Sequence, residues 1–302
     1  MAKLVSEPAL KPSTGILLVF LAGVLWSTVG IGIRLIEDAS VWQILLYRSF
    51  SLAAFLSLVI WLRAGRGPIH MARKMGRTGV IAGLALVAAY SGGIYSIQNT
   101  NVATALLLFS AAPFMTAILG WIVLKERVRR ATWLAIGLAL FGIFVMVSDD
   151  FSGGSMAGNL AALASAFGFA VFTIALRWGR SGDMMPAVFL SGVFGVAITL
   201  TICVVQGLPL VLSPRDGGIA VAMGIFQVGA GLVLYTIGSK VISAVELTFL
   251  SLAEVILGPF WVWLFLGDIV PTNTFIGGAL LLAAIIGNAM SGIRKRPPLR
   301  SP

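Results

Sequence analysis

Apolar runs of about 20 residues follow one another along the chain, parted by short stretches where charges, Pro, Gly and Asn collect. At about 1.5 Å per helical residue, such a run matches the thickness of a bilayer's hydrocarbon core. The period-2 alternation over about 10 residues that a membrane barrel strand needs is not visible. Cutting at the charges and turn residues predicts ten helical spans, at 15–35, 40–62, 78–98, 102–124, 131–148, 157–177, 185–206, 217–237, 244–266 and 273–293. The links are short, so one membrane domain is expected over 1–302 with no soluble domain inserted. The first run is too long for the core of a cleavable signal and no small-residue cleavage pattern follows it, so it is expected to be retained as a span.

Composition agrees with the pattern. Hydrophobic residues make up 59% of the chain and charged residues 11%, where a soluble domain carries about 25% charged residues. Placement explains the net charge of +10. All basic residues except Arg34, Arg48 and Arg215 fall before span 1 or after spans 2, 4, 6, 8 and 10. The acidic residues Glu37, Asp38, Asp149, Asp150, Asp216 and Asp268 fall at the other ends. This asymmetry predicts a multi-pass protein with both termini in the cytoplasm. Nucleic acid is not an expected partner, because the basic residues share no soluble face.

The two halves resemble each other. GILLVFLAGVLWSTVGIGIR (15–34) aligns with GNLAALASAFGFAVFTIALR (158–177), and APFMTAILGWIVLKE (112–126) with EVILGPFWVWLFLGD (254–268). Tyr95 and Tyr235 also correspond. The repeats are expected over 15–148 and 157–293. Each holds five spans, and an odd number threads the second copy through the membrane upside down. Inverted repeats around a shared site are the architecture of alternating-access transporters.

Three segments carry a family resemblance: GVLWSTVG (23–30), WIVLKERVRRATWLAIGLALFG (121–142), and LAEVILGPFWVWLFLGDIVPTNTFIGGALLLAAIIG (252–287). With the five-plus-five arrangement they resemble the drug/metabolite transporter superfamily, in particular its ten-helix EamA-type exporters. The resemblance implies an all-α membrane protein of two inverted five-helix repeats. It also implies secondary transport of small metabolites, with amino acids, neutral or aromatic, as the favoured cargo, out across a bacterial inner membrane. In two places the chain departs from the family pattern: Asp268 stands where glutamate is usual, and Val255, not proline, follows Glu254.

Charges inside spans are the first candidates for chemistry, since each costs at least about 2.5–3.5 kcal/mol to place there. Glu254, near the middle of span 9, binds a substrate ammonium or carries a coupling proton, or else simply joins two helices. Pro259 removes a backbone hydrogen bond, which fits either a gating bend or a static fit to neighbours. Arg48 in span 2 captures a substrate carboxylate, or snorkels outward, or pairs with Glu37, Asp38 or Glu254. Glu246, near the start of span 9, is explained by a pair with Lys240. Trp26 and Ser27 in span 1, Tyr90, Tyr95 and Gln98 in span 3, and Gln227 and Tyr235 in span 8 would furnish apolar and aromatic walls with a few polar groups. Interfacial anchoring equally explains those of them near span ends, and is the expected role of Trp61, Trp121, Trp133, Trp178 and Trp263.

Some chemistry lacks its residues. There is no G-x-x-x-x-G-K-[ST] loop for ATP, and the lone histidine, His70, sits in a basic link, so neither a hydrolytic triad nor a zinc site is expected. No cofactor is expected. Cys203 stands alone in an apolar run, consistent with a buried thiol. The partners expected are the lipid bilayer and a small-molecule substrate, driven by a solute or proton gradient. A lipid-carrier or drug flippase on the same fold, or a membrane-embedded enzyme, are the rival readings.

Overall fold

The computed structural model describes residues 11–65, 67–148, 155–179, 183–242 and 244–293, with backbone alone at 64, 244–249, 251–252 and 292–293. Of the charges above, Lys3, Arg66, Asp149, Asp150, Arg180, the run Arg294–Arg300 and the side chain of Glu246 lie outside these residues.

The described residues form helices joined by short links. Span 1 is Pro12–Ser27 with Val29–Arg34, span 2 is Val41–Ala64, span 3 is Gly76–Asn99, span 4 is Val102–Phe109 with Ala112–Val123, and span 5 is Arg130–Val147. Span 6 is Met156–Trp178, span 7 Met185–Val205, span 8 runs over Pro214–Gly238, span 9 is Ala244–Leu266 and span 10 Thr272–Ile293. A short helix, Pro68–Lys74, lies between spans 2 and 3. The structure is that of an all-α polytopic membrane protein.

Three spans are interrupted, two of them with a local cause. Span 4 breaks at Ser110–Ala111, just before Pro113, whose missing N–H leaves the carbonyl of Phe109 without its helical partner. Span 1 breaks at Thr28, whose hydroxyl donates back to the Leu25 carbonyl at 2.7 Å, a bond that competes with the helical ladder. Span 8 widens into a π-helix over Met223–Ala230. By contrast, span 9 stays helical through Pro259. The hydrogen bond lost at Pro259 therefore does not break the helix.

Packing reveals the relation between the halves. Span 3 lies antiparallel to span 6, with Gly168 against Ala85 and Ala89 and Gly92 against Ala161 and Ser165; the Ser165 hydroxyl donates to the Ala89 carbonyl at 2.7 Å. Span 8 lies antiparallel to span 1 in the same way, with Gly238 against Gly15 and Gly231 against Trp26. Spans 2 and 7 meet where Gly192 and Gly195 admit Ser49 and Ala53, spans 5 and 10 where Gly142 touches Gly277, and spans 4 and 9 where Leu106 lies on Gly258. Exchanging each span for the one five later maps this pattern onto itself. Two five-span halves related in that way are inverted repeats. Glycines at these crossings let the helices approach closely enough for dispersion to hold them in lipid, where no hydrophobic drive remains.

Large apolar side chains such as Phe50, Leu134, Phe144, Val205 and Phe265 are exposed around the bundle, as a lipid-facing surface requires. Trp61, Trp121, Trp133, Trp178 and Trp263 are exposed too.

Candidate solute site

One end of the bundle carries Arg63, Arg73, Lys74, Lys125 and Lys240 and is the basic end; the other holds Glu37, Asp216 and Asp268. Between them, spans 1, 8 and 9 meet at a polar and aromatic junction. The Trp26 ring lies 5.3 Å from that of Tyr235, centre to centre, at 39°. Gly231 permits this: a side chain there would collide with the Trp26 indole nitrogen. Gln227, within the π-helix, approaches the Trp26 carbonyl with its amide nitrogen at 3.5 Å, while its buried Oε1 has no partner among the described residues. A π segment re-aims one side chain relative to a regular helix and is a common mark of function.

On the other flank of span 1, the Trp261 indole N–H donates to the hydroxyl of Ser27 at 2.9 Å, and that hydroxyl donates to the Val24 carbonyl at 2.7 Å. Ser27 is fully buried. Glu254, Gly258 and Trp261 follow at i, i+4 and i+7 spacing on one face of span 9. Gly258 sits near the Ser27 carbonyl, and Gly23 lies beside the backbone of Leu250, Ala253 and Glu254. This face of span 9 therefore packs on span 1. Glu254 is half-buried, and among the described residues no hydrogen bond or ion pair engages its carboxyl.

Arg48 and Tyr90 form a separate pair across spans 2 and 3. The guanidinium lies 4.7 Å above the centre of the Tyr90 ring. Arg48 is 5% exposed, and among the described residues its Nε finds no acceptor. Among the described residues none of the three acids considered for it is its partner: Glu37 pairs with Arg215, and no ion pair joins Arg48 to Asp38 or Glu254.

Tyr95 and Gln98 stand apart from both groups. Tyr95 is exposed, and Gln98 donates to the Ala39 carbonyl at 3.1 Å, tying span 3 to the link between spans 1 and 2. Two small clefts open at the ends. One of about 90 Å³ at the basic end is bordered by Arg63, Asp183, Met185, Thr236 and Lys240. One of about 70 Å³ at the opposite end is bordered by Thr100, Asn101, Thr104, Asn273 and Thr274. Neither lining includes the intramembrane candidates.

Trp261 escaped the sequence reading, although its spacing from Glu254 put it on the same helical face. The π segment left no signal, because Met223–Ala230 is as apolar as its surroundings.

A family model described as the EamA-like transporter family matches residues 13–148 and again 156–290. The chain belongs to this family. Among similar proteins, the uncharacterized transporter YwfM of Bacillus subtilis is 28% identical over 195 residues, covering 63% of this chain and 66% of its own. Human solute carrier family 35 member G1 is 24% identical over 311 residues, covering 96% of this chain and 83% of its own. Protein RarD of Streptomyces exfoliatus is 33% identical over 139 residues, 44% of this chain and 43% of its own. The chain thus spans between under half and about four-fifths of these relatives. A protein crystal structure at 21% identity superposes on 95% of this transporter and all of its own chain with a TM-score of 0.63, showing the same fold. The family and its relatives are transporters, which implies a small-molecule substrate and a lipid bilayer around the helices.

Proposed function

We propose that this transporter exports small organic solutes, amino acids foremost, by alternating access across a bacterial inner membrane, with its basic end in the cytoplasm. The observation that carries the proposal is the exchange-invariant packing of two five-span halves around intramembrane polar groups. Such symmetry lets one site open to either side by related motions of the halves. The basic end is assigned to the cytoplasm by its excess of Lys and Arg.

In this reading Trp26, Tyr235 and Tyr90 supply aromatic walls, while Gln227 and Ser27 supply fixed polar groups. Glu254 takes the substrate ammonium or a coupling proton, and Pro259 lets span 9 flex. Tyr95 and Gln98 have a weaker claim, since one is exposed and the other holds a link in place.

Counterflow in proteoliposomes tests the proposal. Vesicles loaded with unlabelled amino acid are expected to accumulate the labelled solute transiently, while sugars and a fluorescent lipid carrier are not moved. Lipid scrambling without amino-acid counterflow would favour the flippase instead. Net efflux by Glu254→Gln is expected to lose its pH dependence; an unchanged profile would remove that carboxyl from proton coupling.

A further inference from the structure

Arg48 is the one intramembrane cation among the described residues, and its surroundings are unusual for a structural charge. It begins the third turn of span 2, about 10 Å from the nearer helix end at 1.5 Å per residue. At 5% exposure it does not snorkel to the surface. Tyr90 covers one face of the guanidinium, leaving the in-plane donors to find acceptors elsewhere. Among the described residues it has no carboxylate partner, and its Nε has no acceptor of any kind. A buried guanidinium is strongly destabilised without a counter-charge, so a missing anion is the simplest completion of the site.

Span 8 packs on the backbone of the same turn of span 2. Gly224 has no side chain, so the π segment sits against the Arg48 carbonyl and the Ser51 hydroxyl; a methyl group there would collide with both. About one turn on, Gln227 brings a second partnerless buried atom, its Oε1. Its neighbour on span 1 is Trp26. A cation without an acceptor and an amide oxygen without a donor, on two spans that pack together, suit a ligand carrying both an acidic group and an N–H or O–H donor.

We propose that Arg48 is the anion seat of the solute site, binding a substrate carboxylate in the plane of the guanidinium while Tyr90 holds its face. This rests on the transport reading and narrows it: the cargo carries a carboxylate. Simple amines and uncharged drugs are excluded as good substrates.

Binding is measured apart from transport, so the two readings can fail separately. The purified full-length protein is heated with phenylalanine, glutamate, benzoate or succinate, and in parallel with the primary amide of each. At least one carboxylate is expected to raise the melting temperature where its amide does not. The Arg48→Gln protein should lose that shift, with an apparent affinity about tenfold or more weaker. Arg48→Lys keeps the charge without the planar fork, so part of the shift should remain; it also stands in if Arg48→Gln does not fold. Equal shifts from acids and amides, no shift from any carboxylate, or full retention of the shift in a folded Arg48→Gln protein would each overturn the proposal. A carboxylate-dependent shift without counterflow would leave the anion seat standing and refute export of these acids.

Discussion

Arg177, at the end of span 6, donates to Glu126, in the link after span 4, at 2.5 Å. The repeat places Arg34 opposite Arg177 and Asp268 opposite Glu126, at the other end of the bundle. That second pair is not made: Arg34 donates instead to the Thr100 carbonyl at 2.9 Å, and among the described residues Asp268 has no ion pair. Packing that is symmetric between the halves is thus combined with end contacts that are not. Under the transport reading, this is what one state of an alternating pair would look like.

Removing that latch should loosen the basic end without unfolding the protein. Both partners are substantially exposed, so Glu126→Gln is expected to cost no more than about 1 kcal/mol. In a Cys203→Ser background, a cysteine at Thr236, which borders the basic-end cleft, should then react faster with a membrane-impermeant thiol reagent. An unchanged or slower rate would show that the ion pair does not hold that end.

Gly231 is required by its neighbour, not by its backbone. Its added methyl would strike the Trp26 indole, so Gly231→Ala should lower stability by about 1–3 kcal/mol and disturb the stack on Tyr235. The same change made beside Trp26→Phe, with its smaller ring, should cost less than the two effects added together. Strict additivity in thermal unfolding would argue that the two residues do not touch.

Two acidic residues at the opposite end should behave very differently. Arg215 pairs with Glu37 in the open, so Glu37→Gln is expected to change stability by less than about 1 kcal/mol. Asp216 is buried and accepts the backbone N–H groups of Glu37 and Asp38 at 3.3 and 3.2 Å, clamping the link after span 1 onto span 8. Asp216→Ala leaves those donors unpaired and should cost about 1–3 kcal/mol. Equal effects at the two positions would mean the clamp is not formed.

The fold was readable because hydrophobicity and length decide it: each span is long enough to cross a bilayer, and Arg34 and Arg177, or Tyr95 and Tyr235, mark the duplication. The site was only partly readable. Trp26, Ser27, Gln227 and Tyr235 do meet at one junction, since polar groups deep in lipid-spanning helices must turn inward. Gln98 stands apart from that junction, because an amide near a span end serves equally well to tie down a link. Arg48 drew three candidate acids, two from the link before span 2 and one from span 9, but which helix faces which is a tertiary fact, and Tyr90 took the position. Trp261 went unremarked among other aromatic residues because its hydrogen bond depends on where span 1 crosses span 9.

Spin labels at Arg127 and Trp178 on the basic end, and at Leu35 and Ile269 on the other, would follow both mouths of the transporter in lipid by double electron–electron resonance. Inverted halves working in alternation should give two populations in which the distances change in opposite senses, with solute shifting the balance between them. Distances that rise and fall together, or that stay fixed while counterflow proceeds, would contradict alternating access in this protein.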